Sequence, residues 1–162
     1  MSKKNKAKVK ILLLESYLAA IKNSVGSKTY RSLLAEINGK KIDIAGNGSY
    51  SCALFASSIL FVFKLIKDMH ATVNSLAKDL ETFGWQEIKN PKIGSILIWD
   101  EIYDNKSGKV HKHAGFYIGN NKAISNSEAK KSPQIHHLTY GERNGQPVRK
   151  ITKIFWHKKL DS

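Results

Sequence analysis

The hydrophobic period of this chain changes once, at Gly84, and that change decides its fold class. Before it, apolar residues recur at helical spacing: Leu12, Leu13, Leu14, Tyr17, Leu18 and Ile21 predict a helix over 9–24. A shorter helix is expected over 28–37, closing at the Asn38-Gly39 turn, and the stretch KKIDIAGNGSYS after it reads as an irregular loop. Residues 50–67 are apolar almost all round, the mark of a buried central helix. A further helix is expected over 72–83. Beyond Gly84 the segments are short and β-rich: SILIWD (95–100), VHKHAGFYIG (110–119), KAISNS (122–127), QIHHLTY (134–140) and VRKITKIFWH (148–157). Gly119-Asn120-Asn121 supplies a hairpin corner between the second and third. Helices first and an antiparallel sheet second is the α+β pattern. No repeat or linker divides the chain, so residues 8–160 are expected to form a single domain behind a disordered basic tail, 1–7.

Among 162 residues there is one cysteine, Cys52, which excludes an intrachain disulfide and a multi-cysteine zinc site. Lys and Arg number 27 against 13 Asp and Glu, a net charge of +14 that favours anionic partners. The lysines are dispersed rather than gathered in one stripe, and no helix-turn-helix or aromatic RNA-binding signature accompanies them. Specific nucleic-acid binding is therefore not expected. Glu15 interrupts the apolar N-terminal stretch, so no clear signal peptide is read, and the run 52–66 is too short to span a bilayer. The expectation is a monomer made in the cytoplasm, which reaches any external substrate by release. Trp85, Trp99 and Trp156 are assigned to the core.

Cys52 stands where the loop holding Gly46 and Gly48 gives way to the apolar helix. A free thiol with pKa near ~8.5 is mostly protonated at neutral pH, and a helix N-terminus or a nearby imidazolium lowers that value. Ser49 or Ser51 can act as the N-cap. In VHKHAGFYIG, strand alternation puts His111, His113, Gly115 and Tyr117 on one face and Val110, Ala114, Phe116 and Ile118 on the other. If the apolar face packs on the helix, the histidine face looks away from it. Periodicity leaves open how the two could meet.

The order Tyr-Ser-Cys-Ala-Leu-Phe (50–55), Lys-Ile-Gly-Ser-Ile-Leu-Ile-Trp (92–99) and His-Ala-Gly-Phe-Tyr-Ile-Gly-Asn (113–120) resembles the NlpC-type papain-like cell-wall peptidases. Those carry Asp-Cys-Ser-Gly on a helix, Pro-Gly-Asp-Leu-Val-Phe-Phe, and then His-Val-Gly-Ile-Tyr-Ile-Gly-Asn-Gly. The match covers about residues 49–127; the related CHAP amidases match less closely. Ser51 stands where the family usually has Asp, and Ala53-Leu54 where it has Ser-Gly.

The resemblance implies a papain-like fold with the nucleophile-bearing helix packed on the C-terminal antiparallel sheet. It implies Cys52 as nucleophile, His113 as general base, and a third polar residue on the next strand orienting the imidazole. A gapless reading puts Ser125 there. Asn126, one residue on, is preferred because an amide oxygen accepts an imidazole N–H well and a small bulge would place it. Tyr50, Ser51, His136 and His137 are assigned to the substrate groove. No metal or cofactor is required, although His111, His113, His136 and His137 could alternatively make a zinc site. The expected activity is hydrolysis of an amide bond through a thioester, in peptidoglycan peptides or another anionic cell-wall substrate. The alternatives are an intracellular papain-like amidase, deamidase or toxin acting on protein, and a non-enzymatic basic binding domain.

Overall fold

A computed structural model of the chain describes residues 8–105 and 108–161; the basic tail expected over 1–7 lies outside them. Three α-helices, α1 (Leu13–Asn23), α2 (Cys52–Val62) and α3 (Val73–Thr82), accompany ten strands and a final 3-10 turn, Lys158–Asp161. The strands are β1 (Leu34–Ile37), β2 (Lys40–Asp43), β3 (Trp85–Glu87), β4 (Ile96–Asp104), β5 (Lys109–Gly119), β6 (Lys122–Ser127), β7 (Ser132–His137), β8 (Glu142–Arg143), β9 (Gln146–Pro147) and β10 (Ile151–His157). The helices pack on a six-stranded antiparallel sheet of order β3-β10-β4-β5-β6-β7, with the chain's last strand inserted between β3 and β4. The molecule is α+β. No helix is long and apolar enough to cross a membrane among the described residues.

The five expected strands are all present, and the Gly119-Asn120-Asn121 corner closes a hairpin with Asn120 and Asn121 both at positive φ. Three expectations fail: the helix over 28–37, the loop reading of 40–43, which is strand β2, and the length of the central helix. Residues 34–37 are a strand, not helix: Leu34–Ile37 pairs with Lys40–Asp43 across Asn38 (φ 52°) and Gly39 (φ 75°). Positive φ at both central residues is the turn whose twist suits a two-residue hairpin, and most of this ribbon is exposed, so no core face exists to support a helix. The central helix stops at Val62 rather than running to 67. Lys64 turns left-handed (φ 55°) and the Leu65 N–H returns to the Leu60 carbonyl at 2.9 Å. Leu65 and Ile66 are still buried, but by this turn rather than by further helix.

The sheet has two apolar faces. Ile96, Ile98, Ala114, Phe116 and Ile124 join the helices in the main core, where Phe116 meets Phe55 of α2 edge-on at 5.3 Å and Tyr17 of α1 at 5.8 Å. On the opposite face Leu97, Trp99 and Ala123 form a second, smaller cluster. All three tryptophans are buried. The alternation read in β5 holds: Ala114 and Phe116 go to the helix side, and His113 goes to the Trp99 side.

Candidate functional site

The helix that carries Cys52 lies on one face of the sheet and His113 projects from the other, yet both line a single cleft of about 1160 Å3. The pairing of β5 with β6 runs from Gly119 opposite Lys122 to Gly115 opposite Ser125 and ends there. One step further along β5, the Ala114 N–H lies close enough to the Cys52 sulfur to favour its negative charge. The nucleophile candidate is thus seated where two strands part, beside the residue that follows His113.

The approach to α2 is fixed by the glycine loop. Gly46 (φ 59°) and Gly48 (φ 90°) are both left-handed, and a Cβ on Gly48 would lie 2.9 Å from the Lys131 carbonyl oxygen and from Lys131 Cβ. The Asp43 carboxylate accepts the backbone N–H groups of Leu33, Ala45 and Asn47 at 2.9, 3.1 and 2.9 Å, and these bonds hold its carboxyl below the usual range, Leu33 most strongly. Ser51 occupies the N-cap position of α2 but makes no side-chain capping bond; its hydroxyl is buried without a partner in the structure. The substrate-groove assignment of Ser51 is therefore corrected: it faces the interior.

The helix N-terminus does not lower the thiol pKa on balance. Burial pushes the Cys52 thiol up, and the N–H groups of Ala114, Ala53 and Cys52 itself, with the Arg149 charge, offset only part of that. Burial first, then the positive charge of Arg149 and the charge His136 would gain on protonation, lower the pKa of His113 to about 3. At rest the thiol and the imidazole are both neutral, and the lowered thiol pKa that a helix N-terminus or an imidazolium would give is not found.

Behind His113 the structure puts Ser125. His113 Nε2 lies 2.8 Å from Ser125 Oγ, which also lies 2.8 Å from His136 Nε2 and 3.0 Å from the Tyr140 hydroxyl. The preference for Asn126 is corrected. No bulge interrupts β6 at this point, since Ser125 pairs with Gln134 and Asn126 with Pro133 in one register. Alternation then sends Asn126 to the face opposite Ser125, where its Nδ2 donates to the Gly48 carbonyl at 2.7 Å. Asn126 ties down the loop that presents Cys52. It lines the cleft but does not touch the imidazole through that bond.

The other assigned groove residues divide. Tyr50 lines the cleft, its ring 5.4 Å from that of His111. His136 lines it as well, stacked on Tyr140 at 4.1 Å. His137 does not: its Nδ1 accepts the Gly141 N–H at 3.1 Å and the Thr139 N–H at 3.3 Å, shaping the turn after β7. The four histidines therefore do not converge, and no group of three or more metal-ligating side chains is found among the described residues.

Two cleft residues were not singled out from the sequence. Tyr140 sits in the turn after β7, in a stretch read as strand, where nothing marks it. Arg149 lies in the basic run VRKITK, which reads as solvated charge, yet its side chain is only 13 % exposed. Its Nη2 donates to the carbonyls of Asp100 and His111, each at 2.9 Å, clamping β4 to β5 where the strands shift register. No protein-family model and no curated protein matches this chain.

Proposed function

We propose that the protein is a papain-like cysteine hydrolase that cleaves an amide bond, with Cys52 as nucleophile and His113 as general base. The observation that carries this reading is the seat of the Cys52 sulfur: at the N-terminus of a buried helix, against the Ala114 N–H, in the same cleft as an imidazole kept neutral. A neutral imidazole can take the thiol proton as sulfur attacks the carbonyl, and return it to the leaving amine. The thioester is then hydrolysed by water that His113 deprotonates. Positive charge from Arg149 in the same cleft favours the thiolate and the tetrahedral oxyanion.

The resemblance to the NlpC-type enzymes supports peptidoglycan peptides as the substrate class, and the net charge of +14 suits an anionic wall. Site of action at the wall, after release from the cell that makes the protein, belongs to the same proposal. Zymography on purified cell walls tests it. Wild type is expected to clear the wall, and Cys52→Ala, with an unchanged circular dichroism spectrum, to lose at least about a thousandfold of that rate. Equal clearing by both proteins removes the proposal.

A further inference from the structure

The hydrogen-bond partners around Ser125 allow only one arrangement of protons when both imidazoles are neutral. His136 Nδ1 lies 2.8 Å from the His137 carbonyl oxygen, which can only accept, so Nδ1 carries the proton. Burial lowers the pKa of His136, so the ring is neutral and its Nε2 is a lone pair. The only hydrogen available to that lone pair in the contact at 2.8 Å is the Ser125 hydroxyl hydrogen. Having donated it, Ser125 Oγ has two lone pairs left and two remaining neighbours, His113 Nε2 at 2.8 Å and the Tyr140 hydroxyl at 3.0 Å. Both must donate. His113 is then protonated at Nε2, and its Nδ1 is the lone-pair nitrogen.

We infer that Ser125 and His136 are positioning residues that lock His113 in the tautomer protonated on Nε2, so that Nδ1 is the base available to the Cys52 thiol. The lock originates at a backbone carbonyl, that of His137, which cannot change its role, and passes through His136 and Ser125 to His113. A serine can hold this place only because its single hydroxyl hydrogen is committed elsewhere. Without His136, the same hydroxyl could donate to His113 Nε2 and stabilise the opposite tautomer. Tyr140 completes the four-fold environment of Oγ and stacks on His136, which restricts rotation of that ring. The inference about catalysis rests on the hydrolase reading, but the tautomer itself does not.

Ring nitrogen shifts of His113, recorded by NMR on the full chain with 15N-labelled histidine and assigned against His113→Gln, read the tautomer without any substrate. At neutral pH the Nε2–H form is expected to dominate. A dominant Nδ1–H form, or an even mixture, overturns the inference. In His136→Leu the His113 signals are expected to move toward a mixture of tautomers. On a wall-peptide substrate its kcat should fall by about tenfold or more with KM little changed. His136→Gln, whose amide oxygen can accept from Ser125, is expected to recover part of both. If His136→Leu leaves the tautomer and kcat as in wild type, the relay has no positioning role. If Cys52→Ala proves as active as wild type while the wild-type tautomer is as described, only the hydrolase reading falls. Should His136→Leu fail to fold, the wild-type shifts alone still decide the tautomer.

Discussion

Gly115 shows how much of the site depends on a missing atom. Its φ is ordinary, so it is not there for a turn. A Cβ at this position would lie 2.5 Å from the Ile124 carbonyl oxygen and 2.6 Å from Ser125 Cβ. The absent side chain lets β6 approach until Ser125 Oγ reaches His113 Nε2 across the diagonal of one sheet face. Because the clash is with backbone, rotamer changes cannot relieve it. Gly115→Ala is expected to lose about 2 kcal/mol of stability or more, measured as the shift in urea midpoint multiplied by the slope. His113 tells a complementary story. Burial and the neighbouring Arg149 charge, rather than a carboxylate partner, set its protonation state, so the pair rests uncharged.

At the scale of elements, the loop between β2 and α2 matters more than the helix it feeds. The apolar sequence of α2 secures burial, but burial alone does not aim Cys52. That task falls to Asp43 and Asn126, which hold the loop through the Ala45 and Asn47 N–H groups and the Gly48 carbonyl, Asp43 also tying it to the Leu33 N–H. Asp43→Ala is expected to accelerate amide hydrogen exchange at Ala45 and Asn47, read residue by residue by NMR, with the core amides of α2 unaffected. The carboxyl pKa is lowered in the folded state. Its contribution is therefore present above the unfolded carboxylate pKa and is lost as pH falls through the folded value, so exchange in wild type should approach that of Asp43→Ala under acid conditions. Periodicity exposed the five sheet strands because their faces differ in polarity. It misassigned 34–37 because that ribbon is mostly exposed, and no alternation of burial marks it.

Across the whole molecule, buried imidazoles link stability to pH. His113, His136 and His157 all have pKa values lowered by burial. Each unfolded histidine binds a proton near pH 6.5 that the folded protein refuses, so the unfolded state carries more protons below that pH. Stability must therefore fall as pH drops below 6.5, and for His113 the loss continues down to about 3. The slope is about 1.4 kcal/mol per pH unit for each group that stays neutral. Urea unfolding at a series of pH values should show this decline, and His113→Gln should remove about one proton's share of it. An unchanged slope in His113→Gln would mean that His113 is free to protonate in the folded protein.

From its sequence alone, this chain determined its α+β class, the central place of α2, the two faces of β5 and the candidacy of Cys52 and His113, because each is a matter of local period, burial or turn chemistry. Which residue stands behind His113 was beyond such reasoning. One position along a strand reverses the face, and only the unbroken register of β6 with β7 put Ser125 rather than Asn126 on the histidine side. The protonation of the Cys52–His113 pair was likewise settled by tertiary structure. It depends on the water removed around two side chains and on the charge of Arg149, brought in from far along the chain.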